Sequence, residues 1–324
     1  MNNKVIRLII IISVIALAMS LVLLVAASFY FYDIAISRDK KDFLQYSEDL
    51  KDNFSEAARA SEDNELKGAE WVESMSFETW TLSSEDGLKL VGFFLPAELP
   101  TNRVAILAHG YSSEGKEMGT YAKFYHDVLG YHVLMPDARG HGASEGDYIG
   151  FGWPERKDYL LWIKRVIEVV GQDAKIILHG VSMGGATVMM VSGEELPEQV
   201  KAMIEDCGYT SVEDELGYQL KRLYHLPSFP ILNATSLLTK LKAGYSFSEA
   251  SALNQLKKNK LPILFIHGGK DTFVPTEMVY RLYDNCKAPK ELLVVEGAGH
   301  GLSYSVDRKS YENKVLEFIG SYVK

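Results

Sequence analysis

Apolar and polar positions divide the chain into three regions. Residues 8–32 are apolar apart from three serines, residues 33–70 are polar and acidic, and from residue 71 onward short apolar runs alternate with amphipathic segments. An apolar run of this length can cross a hydrocarbon layer of roughly 30 Å as a helix. The pattern predicts a membrane anchor over residues 1–32, a stalk over 33–70 and one large domain over 71–324.

A cleaved signal peptide is the competing interpretation of the apolar run, because positions 26–28 are small residues. The apolar core of a signal peptide is normally only about 7–15 residues long, so an uncleaved anchor is favoured. Lys4 and Arg7 on one flank are nearly balanced by the basic residues at positions 38–41 on the other. A short N-terminal tail before a large domain then predicts a single-pass protein whose domain lies outside the cytoplasmic membrane.

The stalk has apolar residues at near-helical spacing, at Phe43, Leu44, Leu50 and Phe54. We expect an amphipathic spacer helix that rests on the main domain. A helix lying on the membrane surface would carry more basic residues than this one does.

The main domain begins with an alternating pattern over residues 77–82 and 88–95, which predicts an antiparallel hairpin. Six later apolar runs have the length of strands buried on both faces of a parallel sheet. These runs cover residues 103–108, 131–135, 175–178, 200–204, 261–266 and 291–295. Helical patterns lie between them, over residues 116–129, 153–170, 184–192, 276–285 and 306–323. Such alternation predicts a mostly parallel, doubly wound α/β sheet of about eight strands with helices on both faces.

The interval over residues 207–260 has no run typical of a strand. Its leucines predict two helices joined by Pro227 and Pro230. An insertion of this size is usually a lid or a binding element, and an ordinary pair of packing helices is the alternative.

Candidate chemistry begins at the turn after the strand at 175–178, which reads Gly180-Val181-Ser182-Met183-Gly184. A serine on a tight strand-to-helix turn needs glycine neighbours, because larger side chains would collide there. Ser182 would stand at a helix N-terminus, where backbone N–H groups can bind a developing negative charge.

A serine hydroxyl is a weak nucleophile, so Ser182 needs a base, and the base needs an orienting carboxylate. In open α/β sheets both must come from loops at the carboxyl ends of strands. Asp271 follows the strand at 261–266, and His300 follows the strand at 291–295. Asp206 also follows a strand and remains an alternative acid.

The loop after the strand at 103–108 could direct a backbone N–H at a reacting carbonyl. We expect the N–H groups of Tyr111 and Met183 to form an oxyanion hole.

Several other residues match part of a catalytic pattern. Ser144 also lies in a G-x-S-x-G sequence, but in a polar loop with no helix of small residues directly behind it. We expect Arg139 and His141 to hold their own loop in place. We expect structural roles for His179 and His267, which lie at strand ends.

Composition excludes several other functions. The net charge of −9 gives no basic surface for nucleic acid, and no phosphate-binding loop or metal-spaced His/Cys cluster occurs. Cys207 and Cys286 are too few and too far apart for a disulfide framework, which makes them two small buried residues. No cofactor or metal is implied.

Five short motifs in this order resemble those of the α/β-hydrolase superfamily, from about residue 71 to the C-terminus. They are HGYS from His109, DARGHGASEG from Asp137, GVSMGG from Gly180, GGKDTFVP from Gly268 and GAGH from Gly297. The chain most resembles bacterial membrane-anchored serine hydrolases of the esterase and peptidase kind. The resemblance implies Ser182 as nucleophile, His300 as general base and acid, and Asp271 as orienting acid.

The expected function is hydrolysis of a small-molecule carboxylic ester. A peptidase or amidase of the same fold is the alternative, and a non-catalytic surface binding protein is the third possibility.

Overall fold

The computed structural model describes residues 3–38 and 57–323, with side chains in the second range from residue 64 onward. Helix α1, Asn3–Ala35, has 33 residues, which gives it a length of about 50 Å. Its most apolar stretch of 18 residues has a mean hydropathy of 3.2, and none of it is buried. α1 is therefore long and apolar enough to cross a membrane. The predicted stalk residues Phe43, Leu44, Leu50 and Phe54 lie outside the described residues.

Eight strands form one sheet in the order β1-β2-β4-β3-β5-β6-β7-β8. β2 is antiparallel to β1 and β4, and all other neighbours are parallel, so the predicted mostly parallel eight-stranded sheet is confirmed. The strands are β1 Glu78–Ser83, β2 Lys89–Leu95, β3 Arg103–Ala108, β4 His132–Pro136, β5 Lys175–Val181, β6 Val200–Asp206, β7 Ile263–Gly268 and β8 Lys290–Val295.

Helices cover both faces of the sheet and continue into the insertion. In chain order after α1 they are α2 Ala57–Ser74, α3 Gly119–Lys123, α4 Glu155–Val170, α5 Met183–Val191, α6 Val212–Tyr224, α7 Ile231–Ala243, α8 Ala252–Leu256, α9 Glu277–Asn285, α10 Ser303–Val306 and α11 Arg308–Tyr322.

Alternate residues of the central strands are buried in two separate hydrophobic clusters. Ile176 and Leu178 of β5 pack on one face with Trp162, whereas Ile177 packs on the other face with Phe318. A strand buried on both faces reads as a continuous apolar run, which is the pattern that identified β5 in the sequence.

Two predicted helices differ from the structure. The segment predicted as one helix over 116–129 is instead a 3-10 turn, the short α3 and a π-helical turn at Phe124–Val128. The last predicted helix, over 306–323, is interrupted at Asp307, whose side chain accepts a hydrogen bond from the N–H of Ser310. Asp307 is thus the N-terminal cap of α11, which begins at Arg308. Val306, the first residue of the predicted helix, belongs to the separate short helix α10.

Helix α2 packs against α3 and crosses position 70–71, where the sequence placed the start of the main domain. The two helices approach closely at Gly68 and Gly119: a Cβ on Gly119 would lie 2.6 Å from the carbonyl oxygen of Gly68. Trp71 of α2 is buried. α2 therefore packs as part of the domain.

The insertion contains α6, α7 and α8, and its two longer helices agree with the pattern of leucines. α7 packs along α1. The segment after α1 is held by the loop before α4, because the N–H of Ile149 donates to the carbonyl of Ile36 at 2.7 Å and the N–H of Arg38 donates to that of Asp147 at 3.0 Å. The C-terminal end of the apolar helix is thus fixed to the domain.

Candidate active site

The turn between β5 and α5 holds Ser182 in a rare backbone conformation, with φ 56° and ψ −117°. Non-glycine residues seldom adopt positive φ, and such strain is concentrated at functional sites. The neighbouring glycines are needed because the backbone around them leaves no room for a Cβ atom. A Cβ on Gly180 would lie 2.1 Å from the carbonyl oxygen of Gly184, and one on Gly184 would lie 1.9 Å from that of Ala108. The turn has the form of the nucleophile elbow that the sequence predicted.

Three predicted residues meet at the carboxyl edge of the sheet in one chain of hydrogen bonds. Oγ of Ser182 lies 2.8 Å from Nε2 of His300, and Nδ1 of His300 lies 2.8 Å from Oδ2 of Asp271. Asp271 is buried, and 22% of the His300 side chain is exposed. A carboxylate can only accept, so Nδ1 carries the proton and Nε2 of the neutral ring accepts from the serine hydroxyl.

Backbone groups and a second histidine hold Asp271 in place. Its Oδ1 accepts hydrogen bonds from the N–H groups of Phe273 and Val274, both at 2.9 Å. Its Oδ2 lies 3.3 Å from Nε2 of His267. Burial alone would raise the pKa of Asp271, but His300 and His267 outweigh it and hold the pKa well below its usual range.

The same pairing acts on His300 in the opposite direction. Burial lowers the pKa of His300, but the negative charge of Asp271 outweighs it and raises that pKa well above its ordinary value. Asp271 therefore orients the ring and favours its protonated form.

Asp206, the alternative acid, ends β6 beside Ser182. The carbonyl oxygen of Asp206 accepts from the N–H of Ser182 at 2.8 Å, but its carboxylate makes no hydrogen bond to His300 in the part of the chain described. Burial raises the pKa of Asp206 to about 6. The geometry places Asp271, and not Asp206, on the histidine.

The two backbone groups predicted as an oxyanion hole lie on adjacent loops. β3 and β5 are neighbours, with Ala108 opposite Gly180. A Cβ on Gly110 would lie 3.5 Å from the Cβ of Ser182, so the loop carrying Tyr111 touches the turn. The N–H of Met183, at the start of α5, has no acceptor among the described residues.

The loop after β4 is fixed by buried polar groups. Nε2 of His109 accepts from the N–H of Ala138 at 2.9 Å, and the Asp137 carboxylate accepts from the N–H groups of Gly115 and Ala143, both at 2.7 Å. Burial lowers the pKa of His109 to about 4, so the ring is neutral at physiological pH. This network joins the Tyr111 loop to the rest of the site.

Ser144, the second G-x-S-x-G serine, belongs to that buried network. Its Oγ donates to the carbonyl of Asp137 at 2.7 Å and accepts from the N–H of Val91 at 2.8 Å. Its neighbour Arg139 pairs with Asp158 and Asp86, at 2.7 and 2.8 Å. Arg139 holds the loop in place, as expected from the sequence, and the hydrogen bonds of Ser144 keep its hydroxyl within the buried loop.

The remaining predicted structural residues also have buried partners. His179 lies between the hydroxyls of Tyr125 and Tyr311, each at 3.0 Å, and burial lowers its pKa to about 3. His141 is buried beside His109. Cys207 and Cys286 are both buried free thiols, which confirms the sequence interpretation.

An apolar pocket opens on one side of Ser182, beneath the insertion. Its volume is ≈ 860 Å³, part of it open to solvent. Most of its walls are aromatic and aliphatic side chains from α6, α7 and the end of α1, including Phe31, Ile34, Leu216, Leu220, Leu223 and Leu232.

Glu215 is a polar group in this pocket that the sequence did not single out. It is only 4% exposed, its Oε1 accepts from Nε2 of Gln219 at 2.7 Å, and its Oε2 has no partner among the described residues. Burial raises the pKa of Glu215 to about 7. In the sequence it belongs to the acidic first turn of α6 with Glu213 and Asp214, so nothing local distinguishes it.

A larger and more polar cleft opens on the other side of Ser182 and His300. Its volume is ≈ 2050 Å³, much of it open to solvent, and α2 forms one wall. Its described lining includes four carboxylates and one lysine: Glu65, Glu73, Glu114, Glu117 and Lys116.

Only one group of three or more metal-ligating side chains occurs in the described part of the chain. Ligand atoms of Cys207, Asp271 and His300 lie within 4.8 Å of one another. Burial raises the pKa of the Cys207 thiol to about 12, so it is protonated, and the other two residues already bond each other. A metal ion would need the thiolate and would displace that bond, so the set does not fit a resident metal.

The eight-stranded sheet, the nucleophile elbow and the helical insertion together define an α/β-hydrolase. The chain belongs to the prolyl oligopeptidase family, whose model matches residues 122–324.

The chain is similar in sequence to two relatives and similar in fold to one solved structure. The uncharacterized protein YqkD of Bacillus subtilis is 30% identical over 250 residues, covering 77% of this chain and 81% of YqkD. The uncharacterized membrane protein YNL320W of Saccharomyces cerevisiae is 26% identical over 215 residues, covering 65% of this chain and 68% of that protein.

The esterase Pf2001 of Pyrococcus furiosus superposes with a TM-score of 0.61 at 24% identity, covering 78% of this chain and 93% of the esterase. At that identity the likeness shows a shared fold.

Proposed function

We propose that the protein is a serine hydrolase that cleaves a carboxylic ester through an acyl-enzyme on Ser182. The observation that carries the proposal is the continuous chain of hydrogen bonds from Ser182 through His300 to Asp271, with both links at 2.8 Å. These distances lie within the reach that proton transfer requires.

In the proposed mechanism, Nε2 of His300 takes the proton of Ser182 as Oγ attacks the carbonyl carbon. The N–H groups of Tyr111 and Met183 bind the oxyanion, and each such donor is typically worth about 2.7–4 kcal/mol of transition-state stabilisation. His300 then protonates the leaving alcohol. A water molecule, deprotonated by the same ring, releases the acid and regenerates the serine.

The two openings beside Ser182 suggest how a substrate would lie. The acyl chain enters the apolar pocket, and the alcohol occupies the polar cleft beside α2. The insertion over residues 207–260 acts as the lid that keeps water from the acyl side, which strengthens electrostatic interactions within the site.

Glu215 supports a second candidate function, cleavage of a peptide or amide with a free amino group. Its Oε2 lacks a partner within the apolar pocket, and a carboxyl with a pKa near neutral could bind an ammonium group there. The family is named for a peptidase. Comparing aminoacyl p-nitroanilides with p-nitrophenyl butyrate in wild type and Glu215→Gln separates the two: a peptidase would lose far more activity on the aminoacyl substrates.

A fluorophosphonate that reacts with activated serines tests the central proposal. The full-length protein should be labelled at Ser182, and Ser182→Ala should abolish both labelling and hydrolysis of p-nitrophenyl butyrate. Labelling that is absent, or that persists in the variant, would favour the third possibility, a binding protein that retained the fold without activity.

We also propose that residues 1–32 anchor a catalytic domain over 71–324 to a cell membrane, as a single-pass protein with the domain outside. Residues 33–70 form the connection, whose last part belongs to α2 and packs on that domain. Both native cysteines are buried, so a cysteine introduced at the exposed Glu98 gives a clean reporter. An impermeant maleimide should label Glu98→Cys in intact cells. Labelling only after lysis would place the domain inside.

A further inference from the structure

The C-terminal end of α1 is part of the candidate active site. Phe31, Ile34 and Ala35 line the same apolar pocket as Ser182, although they precede it by about 150 positions in the chain. The helix that could cross a membrane therefore also supplies one wall of the pocket.

Specific contacts fasten this end of α1 to the site. The ring of Phe31 meets that of Tyr224 on α6 edge to face, with centroids 5.0 Å apart. The hydroxyl of Tyr111 donates to the carbonyl of Ala35 at 2.9 Å, which ties α1 to the loop of the proposed oxyanion hole. These contacts fix the wall relative to Ser182.

The same end of α1 has the composition of a membrane–water boundary. Residues 29–32 are four consecutive aromatic residues, and aromatic rings are enriched at that boundary. Nζ of Lys242, at the end of α7, lies 4.2 Å from the centroid of the Tyr32 ring. A lysine beside interfacial aromatics reaches toward lipid headgroups while its stem stays in apolar surroundings.

The lid adds an exposed apolar surface beside α1. Leu237 and Leu241 of α7 are 63% and 77% exposed, and Phe229 just before α7 is 76% exposed. Since α7 packs along α1, these side chains lie beside a helix suited to hydrocarbon. Large apolar side chains grouped next to such a helix fit contact with lipid.

We propose that the substrate is an amphiphilic ester resident in the bilayer, whose acyl chain reaches Ser182 along the last turns of α1. The inference rests on the proposed hydrolase function. The pocket wall at Phe31 and Ile34 continues into the lipid-facing surface of α1, so an alkyl chain passes from the bilayer to the site without crossing water. The polar head of the ester remains on the side of α2.

A larger side chain in the pocket wall tests whether the acyl chain reaches Ser182 along α1. Full-length Ile34→Trp, reconstituted in phosphatidylcholine vesicles, narrows the pocket where α1 lines it. Val25→Trp introduces the same side chain at a position of α1 that is 49% exposed and does not line the pocket. The probes are p-nitrophenyl palmitate incorporated in the vesicles and water-soluble p-nitrophenyl acetate.

We expect Ile34→Trp to lower kcat/KM for the palmitate ester at least about tenfold more than it lowers kcat/KM for the acetate ester, as pocket size governs chain-length selection. Val25→Trp should leave both rates unchanged. Equal loss on both esters, no loss on either, or the same loss in Val25→Trp would overturn the inference.

Labelling of Ser182 by a short, soluble fluorophosphonate reports whether Ile34→Trp is folded. If labelling is lost, Ile34→Val replaces it and should change the palmitate-to-acetate ratio alone; an unchanged ratio would overturn the inference. Failure of the proposed hydrolase function looks different, since the wild type would then neither be labelled nor cleave either ester.

Discussion

Oδ2 of Asp271 lies 2.8 Å from Nδ1 of His300, whereas the carboxylate of Asp206 makes no hydrogen bond to that ring in the described part of the chain. Both carboxylates are buried near the carboxyl edge of the sheet, so position in the sequence could not choose between them. The hydrogen bond favours Asp271 as the proposed orienting acid, because such an acid holds the imidazole by its Nδ1–H.

Asp271→Asn should therefore lower kcat for p-nitrophenyl butyrate by up to about 10⁴-fold, since an amide no longer secures the correct tautomer of His300. Asp206→Asn should cost much less. Steady-state kinetics of the two variants, with thermal unfolding as a check on folding, measure the difference. A larger loss of kcat in Asp206→Asn would reverse the assignment.

The pH dependence of kcat/KM should reflect the pairing of His300 with Asp271. The base must be neutral, and its pKa is raised well above 6.5 because the charge of Asp271 outweighs burial. Activity should thus fall as pH drops through a value above 6.5. In Asp271→Asn the residual activity should have its acidic limb at lower pH. An acidic limb that does not move between wild type and variant would contradict the coupling.

The elbow should tolerate no side chain at Gly184. A Cβ there would lie 1.9 Å from the carbonyl oxygen of Ala108, so Gly184→Ala forces β3 and α5 apart and should destabilise the fold by more than about 2 kcal/mol. Gly320→Ala in the exposed part of α11 is the matched control, because nothing lies within 4 Å of its Cβ. Helix propensity predicts a gain of about 0.5–1 kcal/mol for that change.

Chemical denaturation of the two glycine variants measures both effects. Equal stability of Gly184→Ala and wild type would mean that the turn can open without cost.

Sequence patterns predicted the sheet and the meeting of Ser182, Asp271 and His300, because each residue follows a strand whose apolar run is continuous and whose carboxyl end must lie at one edge. Local patterns carry that information. Packing between distant segments is not local: nothing in residues 29–35 indicates that Phe31 and Ile34 line the pocket of Ser182.

Because packing between distant segments leaves no local pattern, the sequence also did not reveal the burial of Glu215 or the packing of α2 on the domain. The acidic turn at the start of α6 is typical of any helix N-terminus, so burial of one of its carboxylates depends on the tertiary structure alone. For α2, the close approach of Gly68 to Gly119 joins segments that sequence periodicity treats separately.

The polar cleft beside α2 should select the charge of the leaving alcohol. Among the residues that the structure describes, four glutamates and one lysine line it, and burial together with the nearby Asp137 and Glu117 raises the pKa of Glu114. An excess of negative charge attracts cations and repels anions. We expect a choline ester to be cleaved several-fold faster, in kcat/KM, than the glycolate ester of the same acid.

Salt and substitution test this charge effect separately. The preference should shrink from low to high ionic strength, because the screening length falls from about 30 Å at 0.01 M to about 3 Å at 1 M. Glu73→Gln should reduce it, whereas Glu98→Gln, an exposed position that does not line the cleft, should not. A preference that is independent of salt, or that changes equally in both variants, would show that the charge of the cleft does not select the alcohol.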